Sequence, residues 1–398
     1  MKKTLLFKII LITVLLFSMN SCIYMLPFML DKKEKPSIHV LIRKNQYEDV
    51  KALLAENPSL ANIADTGISG NTPLGTAAWD NTSGHSFIKL LLEYGADPNK
   101  RGISSDYRTK GKLPLEIALE TRSAESAKLL LDSGADPDAL TSDGAPLMEK
   151  AFDVNEEMVR YFIKKGAAVK SDRLLYLAIV KRYSPELFKF FQKKGLDIFQ
   201  IDGNGQSLLH IAARFGGTDI AQALILSGLD VNLEDKNGSR PLHSGCEGSI
   251  YLMKTASVGG GVVTPVFRSS IETARLLYFA GTYVNAKDKS GKTALHIAAK
   301  YGYPDIVKFL VEKGADPAAA DNLGYNALHY AAAGLDVNIQ NSGYIPYHQD
   351  NPAIAEYLIN RGLDVNSRTG SGESVLDIAK KSNASADLLR LLISKGAK

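Results

Sequence analysis

A lysine-rich segment has residue types that could bind phosphate. Residues 286–293 run Ala-Lys-Asp-Lys-Ser-Gly-Lys-Thr, with alanine where the first glycine of the phosphate-loop pattern belongs. A true phosphate loop needs a preceding strand and a following helix whose N-terminus faces the anion. Gly291 and Thr293 instead suit a turn glycine and a helix-capping threonine, and no acidic strand motif accompanies them. The segment therefore predicts a turn before a helix and not a nucleotide site.

The N-terminus has the layout of an export signal. Three lysines lie within the first eight residues, an apolar run covers 9–17, and Cys22 directly follows Ser21. A basic start before a short apolar run is typical of a secretory signal peptide. We therefore expect a signal peptide over 1–21 and a cysteine-led tether over 22–35.

The place of Cys22 resembles that of the lipidated cysteine in bacterial lipoproteins, which becomes the new N-terminus. Ser21 matches the small residue before that cysteine, whereas Met19 replaces the usual leucine and Asn20 is atypical. One alternative stays open, because 9–30 carries no charge and, at about 1.5 Å per residue, could cross a bilayer as an uncleaved helix. Both interpretations predict a membrane-anchored chain on the extracytoplasmic side of the cell envelope.

Composition excludes several other classes of protein. The 398 residues are 45% hydrophobic and 23% charged, unlike a disordered chain or an integral membrane bundle. The net charge of +4 includes three N-terminal lysines, so +1 remains for the rest of the chain. A chain this close to neutral does not indicate nucleic-acid binding. Its 2 cysteines cannot form a disulfide framework or a four-cysteine zinc site.

The chain repeats itself with a period near 33 residues. The peptide Thr-Ala-Leu-His-Ile-Ala-Ala at 293–299 recurs as Ser-Leu-Leu-His-Ile-Ala-Ala at 207–213 and as Asn-Ala-Leu-His-Tyr-Ala-Ala at 326–332. This pattern resembles the ankyrin-repeat family, whose repeat carries a Thr-Pro-Leu-His-x-Ala core. The resemblance implies an all-α fold, an ankyrin-repeat α-solenoid of paired antiparallel helices with projecting β-hairpin loops. About ten repeats would cover 36–398.

Local signals within one repeat agree with that architecture. Small residues such as Ala298 let a first short helix approach its neighbour closely, and the second helix places Ile306 and Leu310 at helical spacing. Gly314 would end the second helix, and the polar segment 321–324 has turn chemistry. Neither helix can bury its apolar face alone, so stability must come from stacking repeats.

Histidine and cysteine have structural interpretations in this pattern. His210, His243, His296 and His329 occupy one slot in successive repeats. The resemblance implies that they form hydrogen bonds between adjacent loops and do not bind metal. Cys246 stands where other repeats carry alanine, which favours a small buried residue over a nucleophile. We therefore predict no metal, no cofactor and no catalytic residue.

Departures from the period mark what is individual to this chain. The first full hairpin is lengthened, because Gly95 and Leu115 are 20 residues apart where regular copies have 14. Only 9 residues separate Gly166 from Leu175, which predicts a clipped hairpin. Internal insertions are expected near 247–270 and 333–350, between the paired helices.

The resemblance also indicates where a partner would bind. Ankyrin-repeat proteins usually bind through a concave face made of hairpin tips and the exposed end of each first helix. Aromatic and arginine side chains at such positions dominate interface energetics. The candidates are Trp79, Asp80, Phe152, Arg214, Phe215, Lys300 and Tyr301 on first helices, and Gln206, Lys289 and Tyr325 on hairpins.

The sequence thus predicts a scaffold that binds an unidentified protein partner through its concave face, with no small-molecule substrate evident. Two alternatives of other classes stay open. An enzyme would place its site in the two insertions. A nucleic-acid-binding array would use Lys287, Lys289, Lys292 and Lys300, although the near-neutral charge disfavours it.

Overall fold

The computed structural model describes residues 36–66, 70–80, 83–103, 111–254, 263–337 and 347–398. These belong to two compact units, 1–167 and 168–398. The predicted signal peptide, Cys22 and the tether lie outside the described residues, as do parts of both predicted insertions. No helix in the described ranges is both long enough and apolar enough to cross a bilayer.

The first unit contains four helix pairs and one short 3-10 helix in its described part. The helices are α1 (Ile38–Arg43), α2 (Tyr47–Glu56), α3 (Pro73–Ala78), α4 (Gly84–Glu93), α5 (Pro114–Glu120), α6 (Ala124–Asp132), α7 (Leu147–Val154) and α8 (Glu156–Lys164), with the 3-10 helix at Pro58–Asn62. First helices pack on first helices, as α3 does on α5 and α5 on α7, and second helices pack likewise. The stacking that the sequence required is present.

The second unit continues the pattern with six helix pairs in its described part. They are α9 (Arg173–Val180), α10 (Pro185–Lys193), α11 (Leu208–Phe215), α12 (Thr218–Leu226), α13 (Pro241–Glu247), α14 (Ile271–Phe279), α15 (Ala294–Lys300), α16 (Pro304–Glu312), α17 (Ala327–Ala333), α18 (Pro352–Asn360), α19 (Val375–Lys381) and α20 (Ala386–Ser394). The predicted all-α class of paired helices is confirmed.

Two antiparallel strand pairs interrupt helix pairs of the second unit. Strand β1 (Ser249–Lys254) pairs with β2 (Val263–Arg268) between α13 and α14, in a register that places Ser249 opposite Arg268. Strand β3 (Leu335–Val337) pairs with β4 (Tyr347–Gln349) between α17 and α18. Both pairs fall inside the predicted insertions, where the sequence analysis assigned no strand.

The core consists of small first-helix residues and large second-helix residues. Ala212 and Ala298 are completely buried, so neighbouring first helices approach closely. In the second helices, Leu224, Val307 and Leu310 are also completely buried. Removing one such apolar side chain from water contributes about 1.5–3 kcal/mol, and stacking is what removes it.

One histidine per regular repeat joins a helix to the next hairpin. The backbone N–H of Thr293 donates to Nδ1 of His296 over 2.9 Å. The other ring nitrogen therefore carries the proton, and Nε2 donates to the carbonyl of Ala319 over 2.8 Å. The same arrangement recurs at His210, His243 and His329. The predicted role of these histidines as ties between adjacent loops is confirmed.

Hairpin tips are also bonded to one another in the second unit. The backbone N–H of Lys289 donates to the carbonyl of Asn237 over 2.9 Å, and that of Asn322 donates to Ser290 over 3.0 Å. Gly291 permits this approach, since it has a φ of 81° and a Cβ there would lie 2.6 Å from the nitrogen of Asn322. The segment 286–293 is thus the turn before α15 that the sequence predicted.

These buried histidines predict a loss of stability in acid. Burial lowers the pKa of His39, His210, His243, His296 and His329, so each is held neutral in the folded chain. The unfolded chain binds protons below about pH 6.5, and the folded chain does so only at lower pH.

The free energy of unfolding should therefore fall as the pH drops below about 6.5, which urea titrations between pH 7.5 and 5 would measure. His296→Gln should reduce this pH dependence, because one such group is removed. His85→Gln, outside the buried set, serves as the control. Equal pH dependence in the wild type and His296→Gln would contradict the assignment.

Candidate functional site

A groove in the second unit gathers half of the predicted binding residues. It has a volume of about 360 Å³ and is bounded by α11, α13 and α15 and by the hairpin turns around 235–239 and 288–292. Five candidates line it: Gln206, Arg214, Lys289, Lys300 and Tyr301. We call this feature the concave groove.

Glu247, the last residue of α13, organises one end of the concave groove. Its carboxylate accepts a hydrogen bond from Arg214 Nη2 over 2.8 Å and from the Tyr301 hydroxyl over 3.3 Å. Its backbone carbonyl accepts from the Tyr303 hydroxyl over 3.4 Å. Desolvation by burial raises the pKa of Tyr301 to about 12, so the phenol remains a donor at neutral pH. Arg214 and Tyr301 are held in place before any partner arrives.

Gln206 is a support within the groove wall and not an exposed contact. Its side chain is largely buried, with 9% of the residue exposed. The amide Nε2 donates to Asp235 over 3.2 Å, and Oε1 accepts from Arg214 over 3.4 Å. Gln206 therefore lines the groove as predicted for a hairpin position, and its amide bridges two charged neighbours.

The prediction that Phe152 lies at an exposed position is wrong. It lies in α7 of the first unit with only 1% of its surface exposed. The bridge between Leu140 and Pro146 corresponds to the bridge between Ile201 and Ser207, so Leu147 matches Leu208 and not Leu209. Phe152 therefore occupies the slot of Ala213, which is also buried, and not that of Arg214. Burial of a large aromatic ring in this slot stabilises the core.

The remaining candidates are dispersed. Trp79, which follows α3, is 62% exposed, and Asp80 beside it is partly buried. Phe215 ends α11 and is partly exposed. Tyr325 is partly exposed in the hairpin before α17, where its ring lies 5.6 Å from that of His329. None of these four side chains lines the concave groove.

Glu247 and Tyr303 were not among the predicted binding residues. Glu247 lies five places after Leu242, the same offset that selected Arg214 and Lys300, so the spacing rule could have found it. Tyr303 lies eight places after Leu295, beyond the offsets used. Its ring stacks on Tyr301, with centroids 6.4 Å apart and planes 10° apart.

The described residues show no arrangement typical of metal or thiol chemistry. Among them, no cluster of histidine, cysteine and carboxylate side chains could hold a metal ion. Cys246 is fully buried, and burial raises the pKa of its thiol to about 12, so the nucleophilic thiolate is not populated near neutral pH.

Comparison with known proteins identifies the family. A family model for ankyrin repeats matches three stretches, 38–141, 174–255 and 266–341. These stretches cover more than half of the chain, which therefore belongs to the ankyrin-repeat family. Ankyrin repeats indicate a scaffold for protein–protein interaction.

Curated relatives are matched over only part of their length. It is 29% identical over 221 residues to transient receptor potential cation channel subfamily A member 1 of Homo sapiens, covering 53% of this chain and 18% of the channel. It is 26% identical to an L-asparaginase of Dirofilaria immitis, over 37% of this chain and 27% of that protein. It is 32% identical to neurogenic locus notch homolog protein 1 of Danio rerio, over 34% of this chain and 5% of that protein. The chain thus spans a small part of each relative.

The two aromatic candidates differ in burial, so truncation of each should change the free energy of unfolding by very different amounts. Phe152→Ala should lower the free energy of unfolding by about 3–5 kcal/mol, since it leaves a cavity in the core. Trp79→Ala should change it by less than about 0.5 kcal/mol, because the ring is exposed. Urea denaturation of both variants measures the difference. Similar losses in the two variants would contradict the placement of Phe152 in the core.

Proposed function

We propose that this chain is a membrane-anchored scaffold that binds a protein partner outside the cytoplasm through the concave groove. The observation that carries the proposal is the groove itself, where Arg214, Lys289, Lys300 and Tyr301 converge. Arginine and tyrosine are enriched among residues that dominate protein interfaces. Extended surfaces of stacked repeats are suited to binding a protein chain.

Rigidity supports this assignment. Arg214 is fixed by Glu247 and Gln206, and the turns beside it are joined by hydrogen bonds between their tips. A surface that is already ordered loses little conformational entropy when a partner docks. The groove therefore suits selective binding better than an unsupported row of surface side chains would.

A role in binding without catalysis is part of the same proposal. Both ring nitrogens of His210, His243, His296 and His329 have hydrogen-bond partners, so these rings are committed to structure. Cys246 is buried and protonated. The relative named as an L-asparaginase is matched over 27% of its length, and its activity is not carried over to this chain.

The anchor rests on the sequence around Cys22. A basic start, an apolar run and a cysteine after Ser21 support export followed by lipidation. A single acyl chain binds a membrane weakly, so the several chains of a bacterial lipoprotein would be needed for stable attachment. The alternative is an uncleaved helix with the same binding role for the repeats.

Site-specific photocrosslinking tests the groove. A benzophenone amino acid at Lys289, an exposed residue at the rim, should give a discrete crosslinked product in cells of the native host. The control position is Lys381, whose side chain is 73% exposed and which lies on α19, away from the groove. Arg214→Ala should reduce the Lys289 product by about tenfold, as expected for a dominant interface residue.

A product of equal yield from Lys289 and Lys381, or one unaffected by Arg214→Ala, would contradict binding in the concave groove. Thermal unfolding of Arg214→Ala, followed by circular dichroism, verifies that the variant is folded.

Intact mass of the mature protein tests the anchor. After expression in a bacterial host, we expect loss of residues 1–21 and a gain of acyl mass on Cys22. Cys22→Ser should abolish both changes, because lipidation requires the thiol. A full-length mass that is the same in both forms would contradict the lipoprotein assignment and favour the uncleaved helix.

A further inference from the structure

The edge of the concave groove carries a cluster of lysines on adjacent hairpins. Lys236, Lys287 and Lys289 are exposed, and Lys292 is partly buried beside them. Lys289 and Lys292 line the groove directly, and Lys236 lies next to the lining residues Asp235 and Asn237. These four residues are called the lysine rim.

The acidic residues of the same hairpins are directed into the turns. Asp235 accepts hydrogen bonds from the backbone N–H groups of Asn237 and Ser239 at 2.8 and 2.9 Å. Asp288 accepts from those of Ser290 and Lys292, both at 2.8 Å. Asp235 is only 6% exposed. These carboxylates stabilise the turns, and their charge is directed toward backbone donors.

The lysines of the rim form no ion pair with these carboxylates. Lys289 Nζ donates to the carbonyl of Lys236 over 2.7 Å, and Lys287 Nζ donates to that of Ala320 over 2.8 Å. Lys292 Nζ lies 6.0 Å from the ring centroid of Tyr330. Within the described part of the chain, none of the four lysines forms a salt bridge. A carbonyl or a ring leaves the positive charge of an ammonium group in place.

Some lysines elsewhere in the described part of the chain do form salt bridges. Lys128 pairs with Glu157, Lys165 pairs with Asp132 over 2.6 Å, and Lys395 lies 3.6 Å from Glu356. The chain as a whole is nearly neutral. What distinguishes the lysine rim is clustering: four lysines with no salt bridge among the described residues lie on adjacent hairpins, directly beside a groove lined by Tyr301 and Ile297.

Building on the proposed function, we propose that the partner segment in this groove is an acidic peptide, with carboxylates against the lysine rim and apolar side chains toward Tyr301 and Ile297. Complementary charge raises the rate of association and selects among partners. A nucleic acid fits less well, because the chain as a whole is nearly neutral, whereas nucleic-acid binding relies on a broad basic surface.

Selection from a random dodecapeptide phage library on the immobilised full-length chain tests this. The enriched peptides should carry net negative charge. The strongest should bind at least about tenfold more weakly at 300 mM than at 50 mM NaCl in fluorescence anisotropy, since salt screens exposed charges. Enrichment of peptides with no bias in charge would overturn the proposal.

Charge reversal locates the binding. Lys236→Glu combined with Lys289→Glu should lower the affinity for the selected peptide by more than about tenfold. The matched control is Lys189→Glu with Lys308→Glu, an identical change in net charge on exposed residues of α10 and α16. Equal affinity of the two double variants would overturn the proposal. If the rim variant unfolds, Lys236→Glu alone is used, since no hydrogen bond of its ammonium group occurs among the described residues.

Two further measurements separate the possible failures. The first alternative result is that a 30-nucleotide single strand of DNA binds more tightly than the selected peptide, with that binding lost in the rim variant. This result would identify a nucleic acid as the occupant and overturn the proposal of an acidic peptide. A photocrosslinked product at Lys289 together with peptides of no charge bias would sustain the proposed function and reject this partner class. If neither a crosslinked product at Lys289 nor a charge bias in the selected peptides is observed, both proposals are rejected.

Discussion

The hydrogen bonds of the buried histidines underlie the rest of the second unit. At His296, one ring nitrogen accepts from the start of its own helix and the other donates to Ala319 ahead of the next hairpin. A single side chain thus fixes both the first turn of a helix and the position of a neighbouring loop. Because the ring is buried, it must remain neutral to perform both roles. The register of the hairpins, and so the geometry of the groove, depends on that neutral ring.

The same short hairpin sequence provides both structure and a charged surface. In Asp288-Lys289-Ser290-Gly291-Lys292, the aspartate is directed inward to backbone donors, Gly291 lets the next tip approach, and the lysines remain at the edge. The segment carries two lysines and one aspartate, and the two signs are in different environments. A partner that approaches this edge therefore meets the ammonium groups of the lysines.

The repeats could be predicted from the sequence because they depend on a periodic, local code. Cap, histidine, alanine and terminal glycine recur in register, and each has its own physical role. The groove could be predicted only in part, since exposure depends on neighbouring repeats. Phe152 shares its offset from the aligned leucine with Arg214, but α7 begins at that leucine whereas α11 begins one residue before its own. Phe152 therefore takes the buried slot of Ala213. Gln206 is a polar residue beside a turn, but its bridging role between Asp235 and Arg214 cannot be derived from spacing.

The insertions show how this fold adds a segment without disturbing its stack. Gly216, which follows α11 in an uninterrupted repeat, has φ 67° and ψ 30°. Gly248 and Gly334 follow α13 and α17 with nearly the same φ, 66° and 60°, but with ψ of −164° and −162°. Rotation about one bond thus redirects the chain from the second helix of the pair into a strand.

The backbone conformation of Gly248 and Gly334 is accessible almost only to glycine. Both insertions therefore depend on a residue with no side chain. Glu247 immediately precedes Gly248, and its contacts with Arg214, Tyr301 and Tyr303 hold the point where the chain departs. The residue that organises the groove is therefore also the residue from which the β1–β2 insertion begins.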